Sequence, residues 1–242
     1  MAAMICFFGG DSQTGTTLLA EAVTMSLAAK GAKALLILAS GEQDEGFFPG
    51  TSAGLGSLLR LQRPARDDVR VCIVRSPGLD YIPGRTDMFK KQFHDPDLIG
   101  MIRSLMERDY DVIVCDGGHD ATTPLPISCL TASDRRFYVL TPGPKCAARF
   151  SETWQTVIKA LGLDLDEDRI VLNRASSALS GYSLSDLTSA FGLQGFSVPE
   201  YPDSLACEFS GSCPYGKDGP YTRAADLIAS DILKFAEKGG QR

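Results

Sequence analysis

Residues Phe7–Thr17, with the sequence FFGGDSQTGTT, lie between a short apolar segment and a long helical one. Gly10 and Gly15 are separated by four residues, and Thr17 follows two positions later, which is the spacing of a phosphate-binding loop. Glycines allow such a loop to turn its backbone N–H groups toward an anion, and the next helix adds its positive N-terminal end. The position that normally holds lysine is Thr16. The stretch therefore predicts a strand–loop–helix unit with an anion site that lacks its usual cation.

The composition is that of an ordinary globular chain. It has 242 residues, of which 44% are hydrophobic and 22% charged, enough for the core of one α/β domain. The net charge of −6 and pI near 5.0 argue against nucleic-acid and anionic-membrane binding, which need a basic surface. No apolar run is long enough to span a bilayer, and Met1–Phe8 lacks the basic region of a signal peptide. We therefore expect a cytoplasmic protein.

The cysteines favour packing over chemistry. Of seven cysteines, Cys6, Cys72 and Cys115 lie in apolar segments and are expected to be buried as small hydrophobic residues. No two have C-x-x-C spacing. Cys207 and Cys213 are six positions apart in a predicted loop, which leaves a metal or redox role open for this pair.

Apolar and amphipathic segments alternate along the chain. The predicted strands are Met4–Phe8, Ala34–Ala39, Val69–Val74, Leu79–Ile82, Asp111–Cys115, Arg136–Leu140, Ile170–Asn173 and Gly195–Val198. The predicted helices are Thr16–Lys30, Asp97–Arg108 with Asp95 or Asp97 as its N-cap, Lys145–Leu161, Ser185–Phe191 and Tyr221–Lys238. Ser40–Gly56 is expected to be a loop. This order predicts a mostly parallel central sheet flanked by helices on both faces, in one domain over residues 1–242.

Five segments carry a resemblance to a known family. They are Gly15–Ala28, Asp109–Asp116, Val171–Arg174, Val198–Glu200, and the pair Gly211 and Pro214. In this order and at this spacing they resemble the ParA/MinD family of P-loop ATPases over nearly the whole chain. The resemblance implies a P-loop NTPase fold, ATP and Mg²⁺ as ligands, and a homodimer.

The resemblance also implies the site residues. Those for the nucleotide are Gly10, Asp11, Ser12, Gln13, Thr14, Gly15, Thr16, Thr17, Leu18, Asn173, Arg174, Pro199 and Glu200. Thr17 and Asp116 are implied for Mg²⁺, which prefers oxygen ligands. Structural alternatives exist for four of them: Thr17 as an ordinary first-turn helix residue, Asp116 as a turn former after a strand, and Asn173 and Glu200 as turn residues.

Several positions depart from the family pattern. Members have two loop lysines, and here Thr16 and Asp11 stand at those positions. Unit charges about 4 Å apart interact by around 4 kcal/mol at an effective dielectric of about 20, so this loss is large. Leu38 and Ser40 replace the acidic pattern that positions the attacking water, and His119 stands where a glycine senses the γ-phosphate. Because phosphoryl transfer depends on positioning and charge stabilisation, we expect weak ATP binding, little hydrolysis and no catalytic residue.

Three charged residues near the loop have two interpretations each. The Asp11 carboxylate either adds negative charge beside the phosphates or caps the following amides and fills the site from inside. Lys145 and Arg149 lie at the start of a helix near the family's dimer face, where they either supply charge across an interface or form a solvated face. The two histidines of the chain fall in different predicted loops, and neither receives a catalytic role.

The family members most similar in character are the TadZ/CpaE and BcsQ types, some of which also lack the loop lysine. The resemblance therefore implies a weakly ATP-binding localisation or assembly factor for a bacterial surface machine, as in pilus biogenesis. Its partners would be proteins of that machine, which recruit it to the inner membrane or cell pole. Lys238–Arg242 forms no amphipathic basic tail for direct membrane binding. The alternatives are a slow ATPase activated by a partner and a metal-handling relative.

Overall fold

Seven buried residues, Ala3–Gly9, form strand β1 at the centre of the molecule. The strand pairs with a parallel neighbour on each side, and this double burial explains its continuous apolar sequence. The computed structural model describes residues 1–40, 53–61, 63–84, 97–176, 181–210, 212–217 and 219–239.

The other elements follow in chain order. The strands are β2 Ala34–Leu38, β3 Val74–Ser76, β4 Leu79–Ile82, β5 Val112–Asp116, β6 Arg135–Leu140, β7 Arg169–Ala175 and β8 Gln194–Pro199. The helices are α1 Thr16–Ala29, α2 Leu55–Leu58, α3 Arg66–Val71, α4 Leu98–Met106, α5 Pro124–Ala132, α6 Pro144–Thr153, α7 Leu184–Phe191, α8 Ser204–Ser210 and α9 Gly219–Gly239. A π-helical turn, Trp154–Ile158, continues α6.

The eight strands form one sheet in the order β3-β4-β2-β5-β1-β6-β7-β8. All neighbours are parallel except β3, which runs antiparallel to β4. In this register Asp116, the last residue of β5, lies opposite Phe7 of β1 and Leu38 of β2. The predicted fold class is confirmed, and the loop after β1 and the end of β5 share the carboxyl edge of the sheet.

Apolar side chains cover both faces of the sheet. One core cluster packs beneath α1 and α9, and the other packs beneath α4, α5 and α6. The second cluster contains a group of rings formed by Tyr138, Phe150, Trp154 and Phe191. Their centroids are 4.9–5.7 Å apart, within the range at which aromatic rings attract one another. This ring group fixes α6 against β6.

The opposite, amino edge of the sheet contains a buried ion pair. The Nε of Arg136 donates to both carboxylate oxygens of Asp168, at 3.0 and 2.8 Å. The Asp168 side chain is inaccessible to solvent, and it also accepts from the hydroxyl of Tyr138 at 2.9 Å. The remaining guanidinium nitrogens of Arg136 donate to backbone carbonyls, so the buried charge is fully surrounded by partners.

The prediction of a strand over Val69–Val74 is wrong. Helix α3 covers the first part of this range, and the third strand, β3, begins only at Val74. Arg66 and Arg70 of α3 both contact the Asp109 carboxylate, at 2.5 and 3.1 Å. Val69 of this helix is buried in the core, and the two ion pairs join the helix to a residue about forty positions away.

The other predicted elements agree with the structure in type and differ at their ends; the predicted helix Lys145–Leu161, for example, begins at Pro144. Helices α2, α5 and α8 were not predicted. Asp97 occupies the N-cap of α4, whereas Asp95 and most of the predicted loop Ser40–Gly56 lie outside the described residues. Across the described ranges, no helix has the length and apolar character needed to cross a bilayer.

Candidate functional site

The predicted phosphate-binding loop connects β1 directly to α1. Its two glycines are required by space and by backbone conformation. A Cβ on Gly10 would lie 2.1 Å from Leu140 and 3.0 Å from Phe150. Gly15 has a φ of +77°, and a Cβ there would lie 2.6 Å from the side-chain amide of Asn173. The spacing that identified the loop therefore reflects close packing of its backbone on β6, α6 and β7.

Two hydroxyls are buried inside the loop. The side chains of Thr14 and Thr16 hydrogen-bond each other at 2.8 Å, and that of Thr14 also donates to the Asp11 carbonyl at 3.3 Å. Thr16 is 7% exposed. At the position where a lysine would reach a phosphate, this chain has a neutral side chain that turns inward and stabilises the loop itself.

The Asp11 carboxylate binds the loop and two cations of α6. Its Oδ1 accepts from the Ser12 N–H at 2.7 Å and from the Arg149 guanidinium, and Oδ2 lies 3.9 Å from the Lys145 Nζ. Partial burial opposes ionisation of Asp11, but the hydrogen bonds from Arg149 and Ser12 outweigh it and lower its pKa. Of the two interpretations, amide capping is what the structure contains, and Lys145 and Arg149 face a carboxylate of their own chain.

Thr17 and Asp116 form the second half of the site. The Thr17 hydroxyl donates to Oδ2 of Asp116 at 2.6 Å, and the Gly118 N–H donates to Oδ1 at 3.2 Å. Asp116 is fully buried at the end of β5. A hydroxyl and a carboxylate held together beside the loop are the hard oxygen ligands that suit Mg²⁺, so the residues present fit this ion.

Asn173 also reaches the loop. Its Nδ2 donates to the Thr14 carbonyl at 2.7 Å, and the residue is 4% exposed. The sequence alternative of an ordinary turn residue does not describe it, because it joins β7 to the loop. Arg174 follows with a φ of +56°, and Pro199 and Glu200 lie at the end of the edge strand β8, next to β7.

The remaining predicted residues of this stretch lie in the loop, as Ser12 and Gln13 do, or in the first turn of α1, as Leu18 does. Ser12 and Gln13 are exposed, and Gln13 has a φ of +59°, so the backbone turns tightly there. Leu18 is 6% exposed, and its side chain belongs to the packed part of α1.

The departures from the family pattern at the ends of β2 and β5 bring no acidic side chain to the site. Leu38 is fully buried at the end of β2, and His119 is partly buried after β5. Ser40 packs against Gly118, where a Cβ would lie 2.9 Å from the Ser40 Cα. The buried Ser40 hydroxyl has no hydrogen-bond partner among the described residues. The acids that follow closely in the chain, Glu42 and Asp44, lie outside those residues.

A further buried carboxyl, Glu21, was missed in the sequence. It lies one turn after Thr17 in α1 and is only 6% exposed. The Cys213 thiol donates to it, and Oε2 has no partner in the described part of the chain. Burial raises the pKa of Glu21 to about 7. The available signal was an acid among the apolar residues that α1 turns toward the core.

The thiols are packing residues in this structure. All seven cysteines are described and free, and six of them are buried. Burial raises the pKa of the Cys213 thiol well above its ordinary value, which makes the reactive thiolate rare. Within the described ranges, no three His, Cys, Asp or Glu side chains are grouped so that they could hold a metal ion.

Comparison with known proteins shows which solved structures share this fold. No protein-family model matches the sequence, and no curated protein matches it. Among solved structures, the septum site-determining protein MinD of Pyrococcus horikoshii, complexed with Mg-ADP, has a TM-score of 0.79 at 17% identity, covering 98% of both chains.

Two further solved structures have a similar fold. A ParA family ATPase from Chlorobium tepidum has a TM-score of 0.79 at 18% identity, covering 95% of this chain and 99% of its own. A MinC:MinD cell division protein complex from Aquifex aeolicus has a TM-score of 0.79 at 16% identity, covering 96% of each chain. This chain therefore has the P-loop NTPase fold of the MinD and ParA ATPases.

Proposed function

We propose that this protein binds an adenine nucleotide with Mg²⁺ weakly and hydrolyses it slowly or not at all. The observation that carries the proposal is the contact of Thr17 with Asp116 beside a glycine loop in which Thr16 is neutral and Asp11 is anionic. The ligand groups for the ion and the loop backbone are present. Positions 11 and 16, which hold lysines in the family that this chain resembles, hold Asp11 and Thr16 here.

The nucleotide would lie along the carboxyl edge of the sheet. Its phosphates would meet the backbone N–H groups at the start of α1, where the helix dipole also favours an anion. Thr17 and Asp116 would hold Mg²⁺, which neutralises phosphate charge when it is bound. The solved MinD of Pyrococcus horikoshii is complexed with Mg-ADP, which supports this ligand class. We propose that the adenine base lies beside four residues at the ends of β7 and β8: Asn173, Arg174, Pro199 and Glu200.

Slow hydrolysis follows from what surrounds the phosphates. Water attack on a phosphate needs a positioned water and stabilisation of the transferring group's negative charge. Leu38 and Ser40 offer no carboxylate at the end of β2, and Thr16 offers no cation. We therefore assign no catalytic residue and infer that nucleotide occupancy, rather than turnover, sets the state of the protein.

The cellular role that fits such a protein is localisation or assembly. We propose a cytoplasmic factor of the TadZ/CpaE type that docks on proteins of a surface machine such as a pilus, as a homodimer, with residues 1–242 as one domain. The acidic charge disfavours DNA as the surface that it binds. The MinC:MinD complex supports protein docking as a use of this fold. A partner-activated ATPase is the second candidate, favoured by the complete Thr17–Asp116 pair.

Calorimetric titration with ATP and ADP tests nucleotide binding directly. With Mg²⁺ present, we expect saturable binding of both at roughly micromolar to low millimolar Kd, about 4–8 kcal/mol of binding free energy. Asp116→Ala should remove the gain in affinity that Mg²⁺ gives, because it deletes one of the two oxygen groups. Asp166→Ala, at an exposed carboxylate on the opposite edge of the sheet, should bind as the unaltered protein does. Absence of saturable heat with either nucleotide would refute the proposal.

Restoring the missing lysine should strengthen binding. Thr16→Lys places a cation beside the phosphates, and we expect ATP affinity to rise roughly ten- to a hundredfold, a part of the Coulomb energy of such a pair. Thr16→Met is the matched control, because it has similar length and the same loss of the Thr14 hydrogen bond without the charge. Equal affinities for the Lys and Met variants would show that phosphates do not lie at this position.

ATP turnover with and without cell extract separates the two candidates. Unstimulated turnover near that of active ATPases, abolished by Asp116→Ala, would contradict slow hydrolysis. Turnover that appears only with added membrane or protein fractions, and again depends on Asp116, would favour the partner-activated ATPase.

A further inference from the structure

The Asp11 carboxylate has the surroundings of a bound anion. One of its oxygens accepts from both the Ser12 backbone N–H and the Arg149 guanidinium, and the other lies 3.9 Å from the Lys145 ammonium. The Asp11 side chain is 10% exposed, whereas Arg149 and Lys145 are 53% and 73% exposed. A backbone amide, a guanidinium and an ammonium are the donors that proteins use for phosphate oxygens.

The two cations are held at this place by the packing of α6. Lys145 and Arg149 are four residues apart, so they lie on the same face of the helix. Cys146 and Phe150 of the same helix are buried directly against Gly10, at 3.3 and 3.0 Å from the position of a Cβ there. Because the helix backbone is fixed against the loop, both cations stay within reach of the loop when Asp11 moves away.

We propose that a terminal phosphate of a bound nucleoside triphosphate displaces the Asp11 carboxylate from Arg149 and Lys145. These two residues then supply, within the same chain, the positive charge that Thr16 lacks. Asp11 acts as a built-in competitor that occupies the cations until a triphosphate arrives. The inference rests on the proposed nucleotide binding and deepens it, because it assigns the residues that distinguish ATP from ADP.

The charges explain why binding would be weak without being absent. Arg149, Lys145 and Asp11 together have a net charge of +1, and only the two cations attract a phosphate. An incoming phosphate must therefore break two ion pairs and leave the Asp11 carboxylate nearby. Asp11→Asn removes this competition while keeping a side-chain oxygen that can accept from the Ser12 N–H.

Titration of ATP and ADP into three proteins tests the proposal. With Mg²⁺ present, Asp11→Asn should bind ATP at least about tenfold more tightly than the unaltered protein, and ADP affinity should change by less than about threefold. Adding Arg149→Met to Asp11→Asn should reverse most of the gain for ATP. Lys159→Met, an exposed cation further along the same helical segment, is the control for loss of a basic residue and should leave the gain intact. Circular dichroism confirms that each variant is folded.

The outcomes separate this proposal from the one on which it rests. If the unaltered protein binds ATP, but Asp11→Asn binds it no better, or Arg149→Met leaves the gain intact, the exchange of anions is wrong and nucleotide binding stands. Equal gains for ATP and ADP would also overturn it, because they would show that no terminal phosphate contacts these cations. If neither the unaltered protein nor Asp11→Asn binds either nucleotide, both proposals fail.

Discussion

Replacing Asp168 by asparagine is expected to destabilise the protein by about 3–5 kcal/mol, because it leaves the Arg136 charge buried without its counter-ion. Asp168 is inaccessible to solvent, and the Arg136 side chain is 4% exposed. The carboxylate also accepts from the Arg136 N–H and the Tyr138 hydroxyl, so one substitution weakens several hydrogen bonds at once. The pair joins the starts of β6 and β7, so we expect its loss to lower the free energy of unfolding of the whole domain.

Urea unfolding followed by circular dichroism measures this effect. Asp166→Asn is the matched control, since it changes an exposed carboxylate two residues earlier and should shift stability by less than about 0.5 kcal/mol. The double variant Arg136→Met with Asp168→Leu should be more stable than Asp168→Asn, because it removes both buried charges together. A midpoint for Asp168→Asn equal to that of the unaltered protein would contradict the prediction.

The second large effect concerns Glu21 and pH. Burial raises its pKa to about 7 from an ordinary value of 4.5, so the folded protein binds this proton more tightly than the unfolded chain does. The penalty is absent below the unfolded value and grows as pH rises from 4.5 to 7. Ionised Glu21 should therefore cost about 3 kcal/mol of stability above pH 7, at about 1.4 kcal/mol per pH unit between the two values.

Glu21→Gln isolates this contribution, because glutamine has the same shape and does not ionise. The variant should gain about 3 kcal/mol relative to the unaltered protein between pH 5 and pH 8, measured by urea unfolding at each pH. Groups that face Glu21 from other elements, including Cys213, Lys217, Tyr81 and Tyr221, are present in both proteins and cancel in the comparison. Glu152→Gln, at an exposed position, should show no such trend. Parallel pH profiles for the Glu21 variant and the unaltered protein would refute it.

The part of the fold that was predicted correctly depends on local sequence. The strand before the loop was predictable from its continuous apolar residues, and the loop from glycines that leave no space for side chains. Helix α3 was predicted as part of a strand, because the burial of Val69 in the core and the ion pairs with Asp109 depend on residues that are distant in sequence. Helix α5 was not predicted; its two prolines, Pro124 and Pro126, lie in its first turn, where proline is tolerated.

The candidate site likewise contains features that were predicted from the sequence and features that were not. Thr17 and Asp116 were both implied by the resemblance, and they meet because the loop after β1 and the end of β5 share the carboxyl edge of the sheet. The contact of Asp11 with Arg149 spans 138 positions and arises from the packing of α6 on the loop. The burial of Glu21 likewise depends on distant residues such as Cys213. Contacts of this kind follow from tertiary packing, which a single sequence does not specify residue by residue.

The ring group beside α6 gives the protein an optical reporter of its own. Trp154 is the only tryptophan of the chain, and its indole lies 5.7 Å from the ring of Phe150. Phe150 in turn lies beneath Gly10, next in sequence to Arg149. A loop rearrangement that displaces Phe150 would change the surroundings of the indole. Emission from this single fluorophore is expected to report such a displacement without an attached dye, and each variant described above keeps the tryptophan.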